Sequence, residues 1–191
     1  TAKHDDAVPA PDGIFVRTSG LTIGQSRDQD SSVQIQSLRA QLADSDFAGR
    51  KFDQLHVWPK DRAPIGRFDF EPGVDEVCKV VAETIYESIA GDWLRCDTAN
   101  RIAETDDLVL DVVLVEPSNV FFGWHQAESW PSRWTGGVQP IQPKYEPVSR
   151  AYFKAAEAIT WSGMNLQPGD LCVEIGSAPG GACGRLLELG M

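Results

Sequence analysis

The segment from Leu171 to Leu187 holds the residues whose types and spacing could do chemistry. An apolar run, Leu171–Ile175, leads into Gly176-Ser177-Ala178-Pro179-Gly180-Gly181, and an apolar helical pattern follows. A strand, a glycine-rich turn and a helix are how a doubly wound sheet builds a nucleotide pocket at the carboxyl end of its first strand. Gly176 permits a tight turn and a close ligand, since a Cβ would obstruct both. The pattern predicts a ligand pocket, and a structural turn without a ligand stays an alternative.

Two residues of this segment bear on the class of ligand. The dinucleotide fingerprint G-x-G-x-x-G uses its second glycine to admit a pyrophosphate, and Ala178 occupies that position here. Glu174, at the end of the predicted strand, would repel a pyrophosphate but complement a cationic ligand. S-adenosylmethionine (SAM) is such a ligand because it carries an ammonium and a sulfonium group. Glu174 is thus compatible with SAM, and the missing second glycine disfavours a nicotinamide-binding oxidoreductase.

Three pieces of the C-terminal part occur in an order and spacing that resemble one enzyme family. They are Ser149–Lys154 (SRAYFK) with Glu157 after it, Gln167–Asp170 (QPGD), and Val173–Gly181 (VEIGSAPGG). These pieces resemble the S-R-A-x-x-K, P-G-x and D-L-G-A-A-P-G-G motifs of the FtsJ-type SAM-dependent 2′-O-ribose RNA methyltransferases. Glu174 stands where the family has Asp, and Ala155-Ala156 replaces a Leu-containing pair. The resemblance implies that SAM is bound by Glu174, Gly176, Ser177, Ala178, Pro179, Gly180 and Gly181.

The resemblance also implies a catalytic residue, Lys154. It matches the first member of the family's Lys-Asp-Lys-Glu tetrad, which orients the ribose 2′-hydroxyl and favours its alkoxide for in-line attack on the methyl group. A solvated lysine on an amphipathic helix is the alternative reading. The other three tetrad members, and the acidic residue that holds the ribose of SAM, have no counterpart before Met191. We therefore expect the chain to be an N-terminal piece of a longer protein and inactive by itself.

The junction before these motifs resembles the RlmM-type branch of the family, whose members methylate a cytidine of 23S rRNA and carry an RNA-binding THUMP domain. The matching residues are Gly123-Trp124-His125, Ser132, Gly136-Gly137, Ile141, Pro143 and Pro147-Val148-Ser149-Arg150. This resemblance implies a THUMP-like α/β domain, in part ferredoxin-like, over residues 1–125. A linker over 126–147 and the N-terminal part of a Rossmann-like methyltransferase domain over 148–191 follow. The implied function of the full-length protein is 2′-O-ribose methylation of RNA, with 23S rRNA as the substrate.

The hydrophobic periodicity predicts the elements that must position these residues, and together they indicate an α/β protein. We expect Ser32 to cap the N-terminus of the first predicted helix and Gly91 to end the second. The predicted elements are strand Gly13–Arg17, helix Ser31–Asp44, strand Phe52–Trp58, helix Val74–Ala90, hairpin Leu108–Glu116 and Val120–His125, helix Ser149–Trp161, strand Leu171–Ile175 and a helix ending near Leu189.

Composition limits the partners. The formal charge is −11, and the acidic excess lies in residues 1–130, so RNA binding needs a local basic patch. The acidic charge favours an alternative function, a non-catalytic module that docks on a protein partner and carries a degenerate methyltransferase remnant. The four cysteines and three histidines are dispersed, which predicts reduced thiols, no metal site and a cytoplasmic location. No apolar run reaches the roughly 20 residues that cross a bilayer.

Overall fold

The structure is a computed structural model, and it describes residues 16–44 and 48–191. The chain divides into two compact units, Thr1–Val138 (unit 1) and Gln139–Met191 (unit 2). The division falls inside the segment 126–147 that the sequence predicts as a linker. No helix of the described residues has both the length and the apolar character needed to cross a membrane.

Unit 1 is a mixed α/β unit built on a four-stranded sheet. In chain order its main elements are β1 (Leu21–Ser26), α1 (Ser31–Asp44), β2 (Gln54–Pro59), α2 (Glu76–Trp93), β3 (Leu108–Glu116) and β4 (Asn119–Gln126). The strand order is β1-β4-β3-β2. Strands β2 and β3 are parallel, because α2 provides the long crossover that a parallel pair requires, while β3–β4 and β1–β4 are antiparallel.

The core lies between one face of the sheet and the two helices α1 and α2. Alternate strand residues point to this face, where they meet buried leucines, isoleucines and small residues of the helices. The buried core residues are Leu38, Leu42, Phe52, Leu55, Val57, Ala82, Ile85, Ile89, Leu94, Leu110, Val112, Val120 and Phe122.

Several predicted elements are confirmed in unit 1. Helix α1 has the predicted bounds, and β3 and β4 form the predicted hairpin. The predicted cap Ser32 is wrong: the carboxylate of Asp30 accepts the Ser32 backbone N–H at 2.8 Å instead. The predicted first strand lies partly outside the described residues, and its described part, 16–17, is not a strand. The first strand of the sheet, β1, was not predicted.

Helix α2 packs Ile85 and Ile89 in the core, but two of its valines face solvent. Val77 and Val80 are each 63% exposed, whereas the smaller Cys78 and Ala82 are buried. Small side chains let a helix approach a sheet closely, and Cys78 and Ala82 therefore face the core together with Ile85 and Ile89. The predicted stop at Gly91 is also wrong, because α2 continues through Gly91 to Trp93.

The opposite face of the sheet carries a buried polar cluster. His125 on β4 contacts a carboxylate oxygen of Asp111 through Nδ1 at 2.5 Å and the carbonyl of Ser132 through Nε2 at 2.7 Å. The indole N–H of Trp58 donates to the second oxygen of Asp111 at 3.2 Å. Both ring nitrogens of His125 therefore face acceptors. This cluster fastens the short helix α3 (Trp130–Arg133) to the sheet.

Unit 2 contains the helices α4 (Ala151–Ser162) and α5 (Gly181–Glu188). The prediction of a strand over Leu171–Ile175 is wrong, because none of these five residues is in a strand. Leu171, Val173 and Ile175 are 94%, 83% and 97% exposed. A strand needs hydrogen-bonded neighbours, and residues 139–191, all of which the structure describes, supply no other strand.

Candidate functional site

The glycine-rich loop of unit 2 has the backbone conformation that its sequence requires. Gly176 has φ 79° and Gly180 has φ 98°, in the left-handed region that favours glycine. Gly180 is the N-cap of α5, and its N–H donates to the carbonyl of Ser177. Ser177, Ala178 and Pro179 are exposed. A Cβ built at Gly176 or Gly180 meets no atom within 4 Å, so both glycines face open space.

Gly181, the first residue of α5, packs directly against the start of α4. A Cβ at this position would lie 2.1 Å from the hydroxyl oxygen of Ser149 and 3.1 Å from both the carbonyl oxygen of Ser149 and the backbone nitrogen of Tyr152. Only glycine lets the two chain segments approach this closely. The S-R-A segment and the glycine-rich loop, which are about 25 residues apart in the sequence, therefore meet in space.

Lys154 and Glu174 lie in different surroundings. Lys154 is exposed on α4, and among residues 16–44 and 48–191 its side chain has no ion-pair partner. Glu174 is half-buried, and its carboxylate accepts a hydrogen bond from the thiol of Cys183 on α5. That hydrogen bond, with partial burial, raises the pKa of Cys183, so the thiol stays protonated. Glu174 is thereby held beside α5.

A buried hydrogen-bonded cluster joins α4 and α5, and it was not predicted from the sequence. The carboxylate of Glu188 accepts from the hydroxyl of Tyr152, from the guanidinium of Arg185 at 2.8 Å and from the backbone N–H of Lys144 at 2.8 Å. Only 2% of the Glu188 side chain is exposed. The i,i+3 spacing of Arg185 and Glu188 is the one sequence signal of the cluster; nothing in the sequence connects either residue to Tyr152.

The ionisation of this cluster follows from its hydrogen bonds. The hydrogen bond from Tyr152, assisted by Lys144 and Arg185 and opposed by desolvation, lowers the pKa of Glu188 to about 2. Burial and the bond to Glu188 raise the pKa of Tyr152 above its usual value. At neutral pH the cluster thus holds a carboxylate and a neutral tyrosine, which is the arrangement in which the hydroxyl donates.

The geometry of unit 2 can serve a ligand in three ways. The open loop offers the backbone N–H groups of Ser177 and Ala178, Glu174 offers a carboxylate, and Lys154 offers an exposed side chain on the neighbouring helix. No group of three or more His, Cys, Asp or Glu residues in the described ranges is placed to hold a metal ion. The chain matches no protein-family model and no curated protein. Its function is therefore inferred from these residues and their geometry.

Proposed function

We propose that this protein functions as a SAM-dependent methyltransferase that transfers a methyl group to a ribose 2′-oxygen of RNA. The observation that carries the proposal is the contact of Gly181 with Ser149 and Tyr152. This contact joins the two segments that resemble the FtsJ-type motifs, one with the proposed catalytic lysine and one with the proposed cofactor loop. In this proposal residues 148–191 belong to a Rossmann-like domain, and residues 1–125 to a THUMP-like domain.

The residues of the loop fit SAM. Gly176 and Gly180 leave open space beside the backbone, where a Cβ would otherwise stand. The carboxylate of Glu174 complements the ammonium and sulfonium charges of the cofactor. Ser177, Ala178, Pro179 and Gly181 complete the proposed site, and SAM supplies the methyl group that is transferred.

Lys154 acts on the ribose in this proposal. Its side chain, which is exposed to solvent, would as an ammonium group donate a hydrogen bond to the 2′-oxygen and stabilise the negative charge that develops there as the hydroxyl proton passes to a water molecule. This orientation and charge stabilisation favour in-line attack of the oxygen on the methyl group.

The substrate and the location are part of the same proposal. Ribosomal RNA, specifically 23S rRNA, is the proposed substrate, bound by the full-length protein. The cytoplasm is the proposed location, and the four free cysteines agree with a reducing compartment. The exposed Leu171, Val173 and Ile175 would be buried if this segment were paired as a strand inside a sheet. Assays of function should therefore use the longest natural form of the protein.

Two measurements test the proposal together. The first is transfer of a labelled methyl group from SAM to unmodified ribosomal RNA, which we expect for the wild type. The second is SAM affinity by calorimetry, in which Glu174→Gln should bind about tenfold more weakly because a charge-assisted contact is lost. Glu146→Gln, at an exposed glutamate of the same unit, is the matched control and should bind like the wild type. Absence of both transfer and SAM binding contradicts the proposal.

A second candidate function, a protein-docking module, is favoured by a cleft in unit 1. The cleft lies between α1 and α2, has a volume of about 170 Å³ and has Leu114, Val120 and Phe122 among its lining residues. Exposed Val80 and Thr84 of α2 also line the cleft, so part of its apolar lining faces solvent. Salt-dependent RNA binding that protects the amides of α1 and α2 contradicts this candidate. Failure of methyl transfer to every ribosomal RNA tested favours it.

A further inference from the structure

The buried carboxylate of Glu188 holds together three segments of unit 2. Its partners are the hydroxyl of Tyr152 on α4, the guanidinium of Arg185 on α5 and the backbone N–H of Lys144 in the chain before α4. A buried carboxylate is costly unless each oxygen is hydrogen-bonded. Both oxygens of Glu188 have partners, so the cluster selects one arrangement of the three segments.

Helix α5 is fastened to α4 at both of its ends. At the first end Gly181 packs on Ser149, and at the second Glu188 accepts the hydroxyl of Tyr152. One contact alone would let the short helix pivot about it. The two contacts together fix the orientation of α5, and of the glycine-rich loop that precedes it, relative to α4.

Lys154 lies on α4 two residues after Tyr152. Tyr152 points inward and is buried, whereas Lys154 is exposed, as a separation of two residues on a helix requires. A rotation or shift of α4 on α5 therefore moves Lys154 relative to the loop of residues 176–180.

We propose that Glu188 and Tyr152 are positioning residues, whose buried hydrogen bond sets the placement of Lys154 relative to the cofactor loop. This inference rests on the proposed methyltransferase function and adds to it the residues that align its catalytic lysine. Neither residue touches RNA or SAM in this proposal; both act through α4. Their effect therefore falls on the rate of the bound complex and not on the affinity for SAM.

The test is a steady-state comparison of the longest natural form of the wild type with Tyr152→Phe. The variant removes one oxygen atom and keeps the buried ring. We expect kcat for methyl transfer to ribosomal RNA to fall about tenfold, since small misplacements of a reacting group reduce rates strongly. The KM values for SAM and for RNA should stay within about twofold of the wild type. Tyr145→Phe removes an exposed hydroxyl in the same unit and should leave kcat unchanged.

Each outcome decides the inference. A Tyr152→Phe variant with wild-type kcat overturns it, and so does one whose loss lies in the KM for SAM, since the hydrogen bond would then shape the cofactor loop. If Tyr152→Phe does not fold, Glu188→Gln, which keeps the side-chain size, is judged by the same criteria. A wild type that binds no SAM and transfers no methyl overturns the proposed function and the inference with it. A wild type that transfers methyl while both variants match it overturns the inference alone.

Discussion

Two glycines of helix α5, Gly181 and Gly184, should respond in opposite ways to the same substitution. A Cβ at Gly181 would lie 2.1 Å from the hydroxyl oxygen of Ser149 and 3.1 Å from two backbone atoms at the start of α4. A Cβ at Gly184 meets nothing within 4 Å. Alanine at Gly181 must therefore push α5 away from α4, whereas alanine at Gly184 adds only a better helix former.

The expected magnitudes follow from these contacts. Rotation of Ser149 relieves the shortest contact, but the two backbone atoms must still move by a few tenths of an ångström. Overpacking of this kind costs about 2 kcal/mol, and the helix propensity of alanine returns about 0.5 kcal/mol near a helix end. Gly181→Ala should thus destabilise the contact of α4 and α5 by about 1.5 kcal/mol, and Gly184→Ala should stabilise α5 by about 0.7 kcal/mol.

Hydrogen exchange read by mass spectrometry measures this effect locally, which suits a chain with two units. Amides of α4 and α5 should exchange about tenfold faster in Gly181→Ala and about threefold slower in Gly184→Ala, since 1.4 kcal/mol is a factor of ten. Adding Ser149→Ala to Gly181→Ala should restore part of the protection. Wild-type protection in Gly181→Ala, or faster exchange in Gly184→Ala, would refute the packing of α4 on α5.

Three further predictions concern stability. The hydrogen bonds to Asp111 and Ser132 outweigh desolvation and raise the pKa of His125. The contribution of His125 to the free energy of unfolding is therefore complete below the unfolded pKa of about 6.5 and is lost as pH rises through the folded pKa. In urea unfolding, His125→Gln should be about 3 kcal/mol less stable than the wild type at pH 6, and the difference should be smaller at pH 9. The pKa of Glu188 is lowered to about 2. The contribution of Glu188 to the stability of unit 2 is therefore present above the unfolded pKa of about 4.5 and is lost as pH falls towards 2. Hydrogen exchange of unit 2, measured at decreasing pH, should show this loss of stability in the wild type but not in Glu188→Gln. Asp75 caps α2 by accepting the Cys78 backbone N–H at 2.8 Å; Asp75→Ala should cost about 1 kcal/mol in urea unfolding, and Asp75→Asn should retain most of it.

The sequence predicted those elements of unit 1 whose pattern is local. Helix α1 was predicted because its apolar residues recur with the helical period within a short segment. The β3–β4 hairpin was predicted because two β-prone runs flank the turn Pro117-Ser118-Asn119. Strand β1 was missed because only Leu21 and Ile23 of its sequence, LTIGQS, are large and apolar, and because Gly24 lies beside a register shift. Its pairing with β4 depends on residues about 100 positions away, which no local pattern shows.

Tertiary contacts also explain what the sequence could not give for the candidate site. The loop glycines and Lys154 were predicted from motifs. The positive φ angles of Gly176 and Gly180 follow from the conformational freedom of glycine. The Glu188 cluster depends on the packing of α4 on α5, and the i,i+3 spacing of Arg185 and Glu188 does not reveal that Tyr152 joins them. The segment Leu171–Ile175 has strand composition but remains unpaired, since a strand forms only with a neighbour. The buried His125–Asp111 pair likewise depends on the register of β3 and β4.

The most direct test of the central proposal is to map the methyl group on the RNA after a single turnover. We expect label on a ribose 2′-oxygen with the wild type, and a rate at least about 100-fold lower with Lys154→Ala, because groups that stabilise the developing charge contribute that much. Lys60→Ala, at an exposed lysine of unit 1, should react like the wild type. Label on a base, or a Lys154→Ala variant that transfers methyl at the wild-type rate, would contradict the account.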